Sequence, residues 1–273
     1  MVDIRPAVEQ LGTEFERSPV DFFTESDMQS RLYHLLREEV KQSDDSPLTP
    51  RSSPFGSEGM QVGRSSSYRS DYDERVKEQV DQVADARSTP HLSRVHTELW
   101  YTTDFGSDKK NRVDIAVLRG GDPRNYRPVV WSKGKQSLSF EMIDHAFELK
   151  YLRERMGLRR RVDDVDLQSA TVDEIAETID LDFNGIGKDL NRLQGLSGGI
   201  EDGDGETVGY TDLDSHFVLF ANYDPLRRFQ PSHDNLPSSK INQKIGEAVI
   251  QKISIDFPDV NVFYATPAGY DWL

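Results

Sequence analysis

The chain contains no cysteine among its 273 residues. Disulfide bonds, thiolate zinc sites and cysteine nucleophiles are therefore excluded. The chain also lacks any uninterrupted apolar run near the ~20 residues that a membrane-spanning helix needs. Its first residues do not show the charged-then-apolar pattern of a secretory signal peptide. We therefore expect a cytoplasmic protein that has no membrane partner.

Lysine is scarce as well. The 11 Lys and 22 Arg face 30 Asp and 18 Glu, and the net charge is −15. This acidic, lysine-poor balance resembles that of proteins from salt-loving archaea, in which surface charge serves solvation. We therefore predict a halophilic protein, and a group of carboxylates alone does not indicate a binding site.

Hydrophobic spacing predicts the main elements of the chain. The stretch 22–40 predicts an amphipathic helix that begins behind the candidate cap Thr24. A Ser- and Pro-rich loop over 43–70 separates it from a second predicted helix at 71–87. The runs "RVHTELWYTT" and "RVDIAVLRG" predict two adjacent antiparallel strands. An insertion precedes a third strand with its core at 145–152. The later predictions are helices at 171–180 and 185–195, a buried strand "SHFVLFANY", a helix "INQKIGEAVIQKI" and a last strand "VNVFYATP".

Glu148 and Lys150 stand two positions apart in the third strand. Side chains at this spacing point to one face of a strand, about 7 Å apart, and Phe147, Leu149 and Tyr151 then face the other way. A strand with so apolar a face is expected to be central, where charged groups are costly unless they are paired. The simpler interpretation is an exposed ion pair worth about 0–1 kcal/mol. The other is a functional site.

Asp114 lies in the second strand, with Val113 and Ile115 on the opposite face. If the third strand pairs beside the second, Asp114 and Glu148 converge. Two carboxylates aimed at one point repel each other unless a hard cation joins them, and Mg²⁺ is typically held by one or two carboxylates. Such a metal polarises a phosphodiester and lowers the pKa of a bound water. Lys150 could orient that water or stabilise the negative charge of the phosphorane oxygens.

These residues resemble the motif of the PD-(D/E)XK nuclease superfamily, which includes restriction enzymes and junction resolvases. The resemblance covers roughly residues 24–222 and rests on Asp114, on the run Glu148 to Lys150 and on the order of the elements. It implies that Asp114 and Glu148 bind Mg²⁺ or Mn²⁺ and that Lys150 assists the attacking water. Val113 replaces the name-giving proline, and no Gln-x-x-x-Tyr follows the third strand.

The resemblance also implies a fold. We predict an α/β, restriction endonuclease-like core with a mixed central sheet of about four strands flanked by helices. Extra N-terminal helices and a C-terminal helix-strand extension are expected around it. Residues 1–23 would form an N-terminal segment, and residues 24–273 a single domain with the flexible loop at 43–70.

Many members of the superfamily add a glutamate from the first helix or strand. Glu98 and Glu25 are the two candidates in this chain. Glu98 is favoured because it lies one hairpin before Asp114. Glu25 is more simply interpreted as an acid that interacts with the dipole of the first turn of its helix.

Two basic segments bracket the third strand. Residues 119–135 and 153–161 each sum to +4, which leaves −23 for the rest of the chain. These segments would bind the phosphate backbone of a nucleic acid. Arginine-rich loops can also be solvent-exposed surface segments without a ligand. Lys188 and Arg192, four apart on one helix, are weaker candidates that also suit a solvated face. The predicted nucleic-acid contacts are Arg153, Arg155, Arg159, Arg160, Arg161, Lys188 and Arg192.

We therefore predict a metal-dependent nuclease that hydrolyses nucleic-acid phosphodiester bonds, with DNA favoured over RNA and endonuclease action favoured over exonuclease action. Its partners would be nucleic acid and a second copy or a partner protein. The alternative is a catalytically silent subunit of the same fold that binds nucleic acid or protein. A third interpretation is an acidic scaffold protein that binds its partners through the loop at 43–70.

Overall fold

The computed structural model describes the chain in segments, and all structural statements concern those residues. The described residues are 2–22, 24–43, 94–102, 111–119, 128–132, 135–139, 143–153, 165–181, 185–197, 200–201, 207–208, 213–222 and 237–273. The loop predicted at 43–70 and the helix predicted at 71–87 therefore lie outside them, except for residue 43. Among the described helices, none is both long and apolar enough to cross a membrane.

The described elements are five α-helices, one short 3₁₀ turn (Pro19–Asp21) and ten strands. The helices are α1 (Arg5–Arg17), α2 (Glu25–Ser43), α3 (Val172–Thr178), α4 (Ile186–Ser197) and α5 (Pro237–Asp256). The strands are β1 (Val95–Thr102), β2 (Asn111–Leu118), β3 (Pro128–Ser132), β4 (Lys135–Ser139), β5 (Ile143–Arg153), β6 (Ile200–Glu201), β7 (Thr207–Val208), β8 (Asp214–Asn222), β9 (Asn261–Thr266) and β10 (Gly269–Trp272).

The chain divides into two compact units. The first comprises Met1–Ile4 and Tyr33–Ala146, and the second comprises Arg5–Leu32 and Phe147–Leu273. The prediction of one domain over 24–273 stays a prediction.

In the first unit, four strands have the hydrogen-bonded order β2-β1-β4-β3. Strands β1 and β2 are antiparallel, as predicted, and Leu99 lies opposite Val113. Strand β4 runs parallel to β1 and antiparallel to β3. Strand β3 lies within the segment predicted as an insertion, residues 120–137, and β4 begins within it. The mixed sheet is confirmed.

In the second unit, the strand order is β10-β9-β8-β5, with β8 and β9 parallel and β9 and β10 antiparallel. Strand β8 is buried from Ser215 to Asn222, as its continuous apolar run predicted. Strand β10 follows β9, so β9 is not the last strand. The two orders contain eight different strands, and the prediction of about four was therefore wrong in number.

Helices flank the strands of the second unit. Phe15 of α1 packs in the core against Phe22, Tyr151 and Phe220, at ring-centroid distances of 5.8, 6.1 and 5.0 Å. Helix α4 packs on β8, and the Ser215 hydroxyl donates a hydrogen bond to the Leu193 carbonyl over 2.9 Å. This packing holds α4 against the strands of its unit.

Helix α2 begins where the sequence predicts a cap. The Asp27 backbone N–H donates to the Thr24 hydroxyl over 3.2 Å, and the Thr24 backbone N–H donates to the Asp27 carboxylate over 2.7 Å. These reciprocal bonds satisfy two N–H groups at the helix start. The first helical residue is therefore Glu25, directly after the predicted cap Thr24, and the helix runs to Ser43, three residues beyond the stretch that predicted it.

Candidate active site

Strand β5 carries Glu148 in a buried position and Lys150 in a largely buried one. The side chains are 3% and 14% exposed, respectively. Phe147, Leu149 and Tyr151, which alternate with them, are buried as well. The two residues therefore do not form an exposed surface ion pair, because both faces of the strand are covered. Charges in such a place need close partners of opposite sign.

Lys150 has two carboxylate partners in the second unit. Its Nζ lies 2.8 Å from Oδ2 of Asp189 and 3.6 Å from Oε1 of Glu25. Asp189 belongs to the first turn of α4, and Glu25 to the first turn of α2. Acids are favoured in the first turn of a helix because they interact with the positive end of its dipole. Each acid thus interacts with both a helix end and the ammonium group.

Glu148 has its own cation. Nη2 of Arg192 lies 3.0 Å from Oε1 of Glu148, and the same nitrogen contacts Oδ1 of Asp189. The Asp189 carboxylate therefore divides its two oxygens, Oδ2 facing Lys150 and Oδ1 facing Arg192. We call Glu25, Glu148, Lys150, Asp189 and Arg192 the ion cluster. Three carboxylates face two cations, so its formal charge is −1 when all five groups are ionised.

Asp189 was missed in the sequence, although a signal exists. It stands three residues after Ile186 and four before Leu193, and both of these are buried. Asp189 therefore occupies a core-facing position of an amphipathic helix. A carboxylate there is costly without a partner. This local conflict between charge and pattern could have marked Asp189 as part of a buried charged group.

Arg192 and Lys188 differ in environment, although both were predicted to contact nucleic acid from one helix. Lys188 is exposed, whereas the Arg192 side chain is 20% exposed and belongs to the ion cluster. Arg153 ends β5, but its side chain is not among those described. The other predicted contacts, Arg155, Arg159, Arg160 and Arg161, lie outside the described residues. Their role stays a prediction.

Glu98 and Asp114 lie in the first unit on neighbouring strands. Thr97 pairs with Ile115 and Leu99 with Val113, which places Glu98 and Asp114 at opposite positions of the β1–β2 ladder. Opposite residues of an antiparallel pair share a face. The choice of Glu98 as a metal ligand stays a prediction. Asp114 is half-buried.

The backbone at Glu98 is unusual. Its φ is 54°, and no other described non-glycine residue has a positive φ. Its carboxylate pairs with the Arg112 guanidinium, and the two side chains are 44% and 47% exposed. A strained residue in a strand often marks a functional position. Glu98 therefore stays a candidate ligand, although its present partner is an arginine.

Asp214 and His216 form a further polar pair in the second unit, which the sequence analysis did not single out. A carboxylate oxygen of Asp214 and a ring nitrogen of His216 lie within 4.8 Å of each other. The His216 ring is buried and stacks on Phe147 at a centroid distance of 4.7 Å. These two residues offer a nitrogen and an oxygen, a donor combination that suits transition metals better than Mg²⁺.

Comparison with known proteins yields little similarity. No family model and no curated protein matches the chain. Among solved structures, the cAAA-bound form of NucC from P. aeruginosa ATCC27853 matches with 8% identity and a TM-score of 0.32. The cAAA-bound form of NucC from E. coli MS115-1 matches with 8% identity and a TM-score of 0.33. Each alignment covers 99% of this chain and 81% of the other. Scores this low do not establish a shared fold.

Proposed function

We propose that the protein is a metal-dependent nuclease that hydrolyses nucleic-acid phosphodiester bonds, with DNA as the favoured substrate and endonuclease action as the favoured mode. The observation that carries the proposal is the position of Lys150 beside Glu148 on one face of β5, both shielded from solvent. The ammonium group is held there by Asp189 over 2.8 Å. A buried strand that keeps a carboxylate and an ammonium side by side suits the chemistry of the Glu-x-Lys motif.

The donor set agrees with a hard cation. Glu25, Glu148 and Asp189 offer only carboxylate oxygens, the ligand type that Mg²⁺ prefers. Glu148 is the residue that we expect to hold Mg²⁺ or Mn²⁺, and Asp114 and Glu98 stay predicted as its other ligands. When bound, the metal would lower the pKa of a coordinated water and polarise the phosphodiester.

Lys150 would act on the reacting groups directly. Two carboxylates lie within 4 Å of the ammonium group and fix its position. A donor directed at the attacking water or at a phosphate oxygen would stabilise charge that develops in the transition state. Asp189 would orient the ammonium group, because a pre-positioned donor needs no reorganisation during the reaction.

A silent binding subunit is the second candidate, and one observation favours it. Glu148 and Lys150 each lie beside a side chain of opposite charge in the ion cluster. The cluster can therefore be interpreted as a set of ion pairs that only stabilises the fold. Such a subunit would bind no Mg²⁺ or Mn²⁺. The two proposals therefore differ in metal binding and in cleavage.

Thermal stability alone does not separate the two proposals. Replacing Glu148 by glutamine removes the carboxylate beside the Arg192 guanidinium, and loss of one partner of a buried pair costs about 3–5 kcal/mol. Asp189 remains beside Arg192 and should reduce this cost. Glu148→Gln should consequently lower the melting temperature whether or not the protein is a nuclease.

The deciding experiment joins metal titration with a cleavage assay. Supercoiled, linear, single-stranded and branched DNA, and RNA, would be incubated with Mg²⁺ or Mn²⁺ across a range of salt, because phosphate contacts weaken as salt rises. Glu148→Gln and Asp114→Asn should abolish cleavage and weaken metal binding. Lys150→Ala should abolish cleavage and retain the metal, because an ammonium is not a ligand.

The matched control is Lys240→Ala, which removes an exposed lysine of α5. It should leave both cleavage and metal binding at the level of the parent. A parent protein that neither binds the two metals nor cleaves any substrate in this series would refute the nuclease proposal.

A further inference from the structure

Arg192 occupies the position of a counter-ion to Glu148. Its Nη2 lies 3.0 Å from Glu148 Oε1, and the Glu148 side chain is 3% exposed. A buried carboxylate is costly unless a positive group neutralises it. In this structure a side chain of the protein itself supplies that positive group.

We infer that Glu148 binds either Arg192 or the metal, so that Arg192 is an internal competitor that weakens metal binding. This inference rests on the proposed function, because it takes Glu148 as a metal ligand. A carboxylate oxygen lies about 2.0–2.1 Å from a bound Mg²⁺. A guanidinium 3.0 Å from that same oxygen would lie within a few ångströms of a divalent ion. Like charges repel strongly at such a separation away from bulk water.

The structure offers Arg192 a second partner. The guanidinium already contacts Oδ1 of Asp189, one helical turn away on α4. Loss of the contact with Glu148 would therefore leave Arg192 paired. The α4 backbone can stay in place, since the Ser215 hydroxyl holds the Leu193 carbonyl next to Arg192. The proposed exchange would therefore move the Arg192 side chain and leave the helix in place.

Contact between Arg192 and a substrate phosphate would have different consequences. In that case, removal of Arg192 would weaken nucleic-acid binding and reduce its salt dependence. The affinity for metal in the absence of nucleic acid would not change. The competitor role instead affects metal binding in the absence of any substrate.

The test is a calorimetric titration of the full-length protein with Mg²⁺ and with Mn²⁺, in the absence of nucleic acid. Arg192→Gln should lower the metal Kd by about tenfold or more, equivalent to about 1.4 kcal/mol. Lys188→Gln is the matched control, because it removes the same charge from an exposed position of the same helix. It should change Kd by about twofold at most, as expected for a charge screened by solvent and salt.

A second variant keeps the inference testable if Arg192→Gln does not fold. Arg192→Lys retains the charge but lacks the planar fork that matches a carboxylate. Its Kd should also fall, by less than that of Arg192→Gln. A parent that binds metal and cleaves DNA, together with Arg192 variants of unchanged Kd, would overturn the inference and leave the proposed function standing. A parent with neither metal binding nor cleavage would overturn both.

Discussion

Gly12 lies on the side of α1 that packs against β9 and β10. A β-carbon added to Gly12 would lie 2.6 Å from Cζ of Phe263 and 2.8 Å from Cδ1 of Tyr270. Ordinary carbon contacts are about 3.5–4.0 Å. The Phe263 ring is fully buried, so it has little room to move. Gly12→Ala should therefore force a shift of α1 or of these rings.

The expected magnitude is a balance of two effects. Alanine is favoured over glycine within a helix by about 1 kcal/mol. Inserting a methyl group into a well-packed core costs about 1–3 kcal/mol. Gly12→Ala should therefore lower the free energy of unfolding by about 0–2 kcal/mol. One kcal/mol corresponds to about 2–4 °C in Tm for a chain of this size.

Gly195 of α4 is the matched control. Apart from its chain neighbours and the backbone of its own helix, no atom of the described residues lies within 4 Å of a β-carbon added there. Gly195→Ala should therefore raise the free energy of unfolding by about 0.5–1 kcal/mol, because only the helix preference changes. Urea unfolding followed by both circular dichroism and tryptophan fluorescence would measure each variant and test for two-state behaviour. If Gly12→Ala stabilises the protein as much as Gly195→Ala does, the close-packing argument is wrong.

Two further predictions concern other contacts of the second unit. Hydrogen bonds from the Arg31 guanidinium lower the pKa of Glu14 below its ordinary value of 4.5. The pair should thus stabilise the fold above about pH 4.5 and lose that effect as pH falls through the pKa of Glu14 in the folded protein. Because both side chains are partly exposed, the stabilisation should be less than about 1 kcal/mol. Melts of Glu14→Gln between about pH 6 and pH 3 should show a weaker pH dependence than the parent; equal slopes would contradict this. The Lys244 ammonium donates hydrogen bonds to three backbone carbonyls at 2.9–3.5 Å. Lys244→Met should therefore lower the free energy of unfolding by about 1–3 kcal/mol, whereas Lys240→Met, at an exposed position, should lower it by about 0.5 kcal/mol at most. Equal losses in the two variants would refute the role of these bonds.

Long elements could be predicted from the sequence because their signals are local. Helix α2 repeats its apolar residues at helical spacing, and β8 is a short continuous apolar run. Strands β3, β4 and β10 were missed. They are only four or five residues long, and β3 and β10 lie at sheet edges. Pairing with a neighbour defines such strands, and their own sequence does so only weakly.

Local signals in the sequence also predicted part of the candidate site. Alternation along β5 determined that Glu148 and Lys150 share a face, because that geometry depends only on the period of a strand. The burial of both groups agreed with the apolar residues between and around them. The resemblance to the Glu-x-Lys motif was also readable from these few residues.

Tertiary structure decided which groups these two residues meet. Helix α4 packs on β8 and brings Asp189 to Lys150 and Arg192 to Glu148, and α2 brings Glu25 to Lys150. No local pattern contains this information, because the partners are far apart in sequence and meet only through packing. The sequence by itself thus determined the strand, its charged face and the motif. The fold turned an expected surface arginine into the counter-ion of a buried glutamate, since a buried carboxylate requires a cation and α4 places one within 3.0 Å.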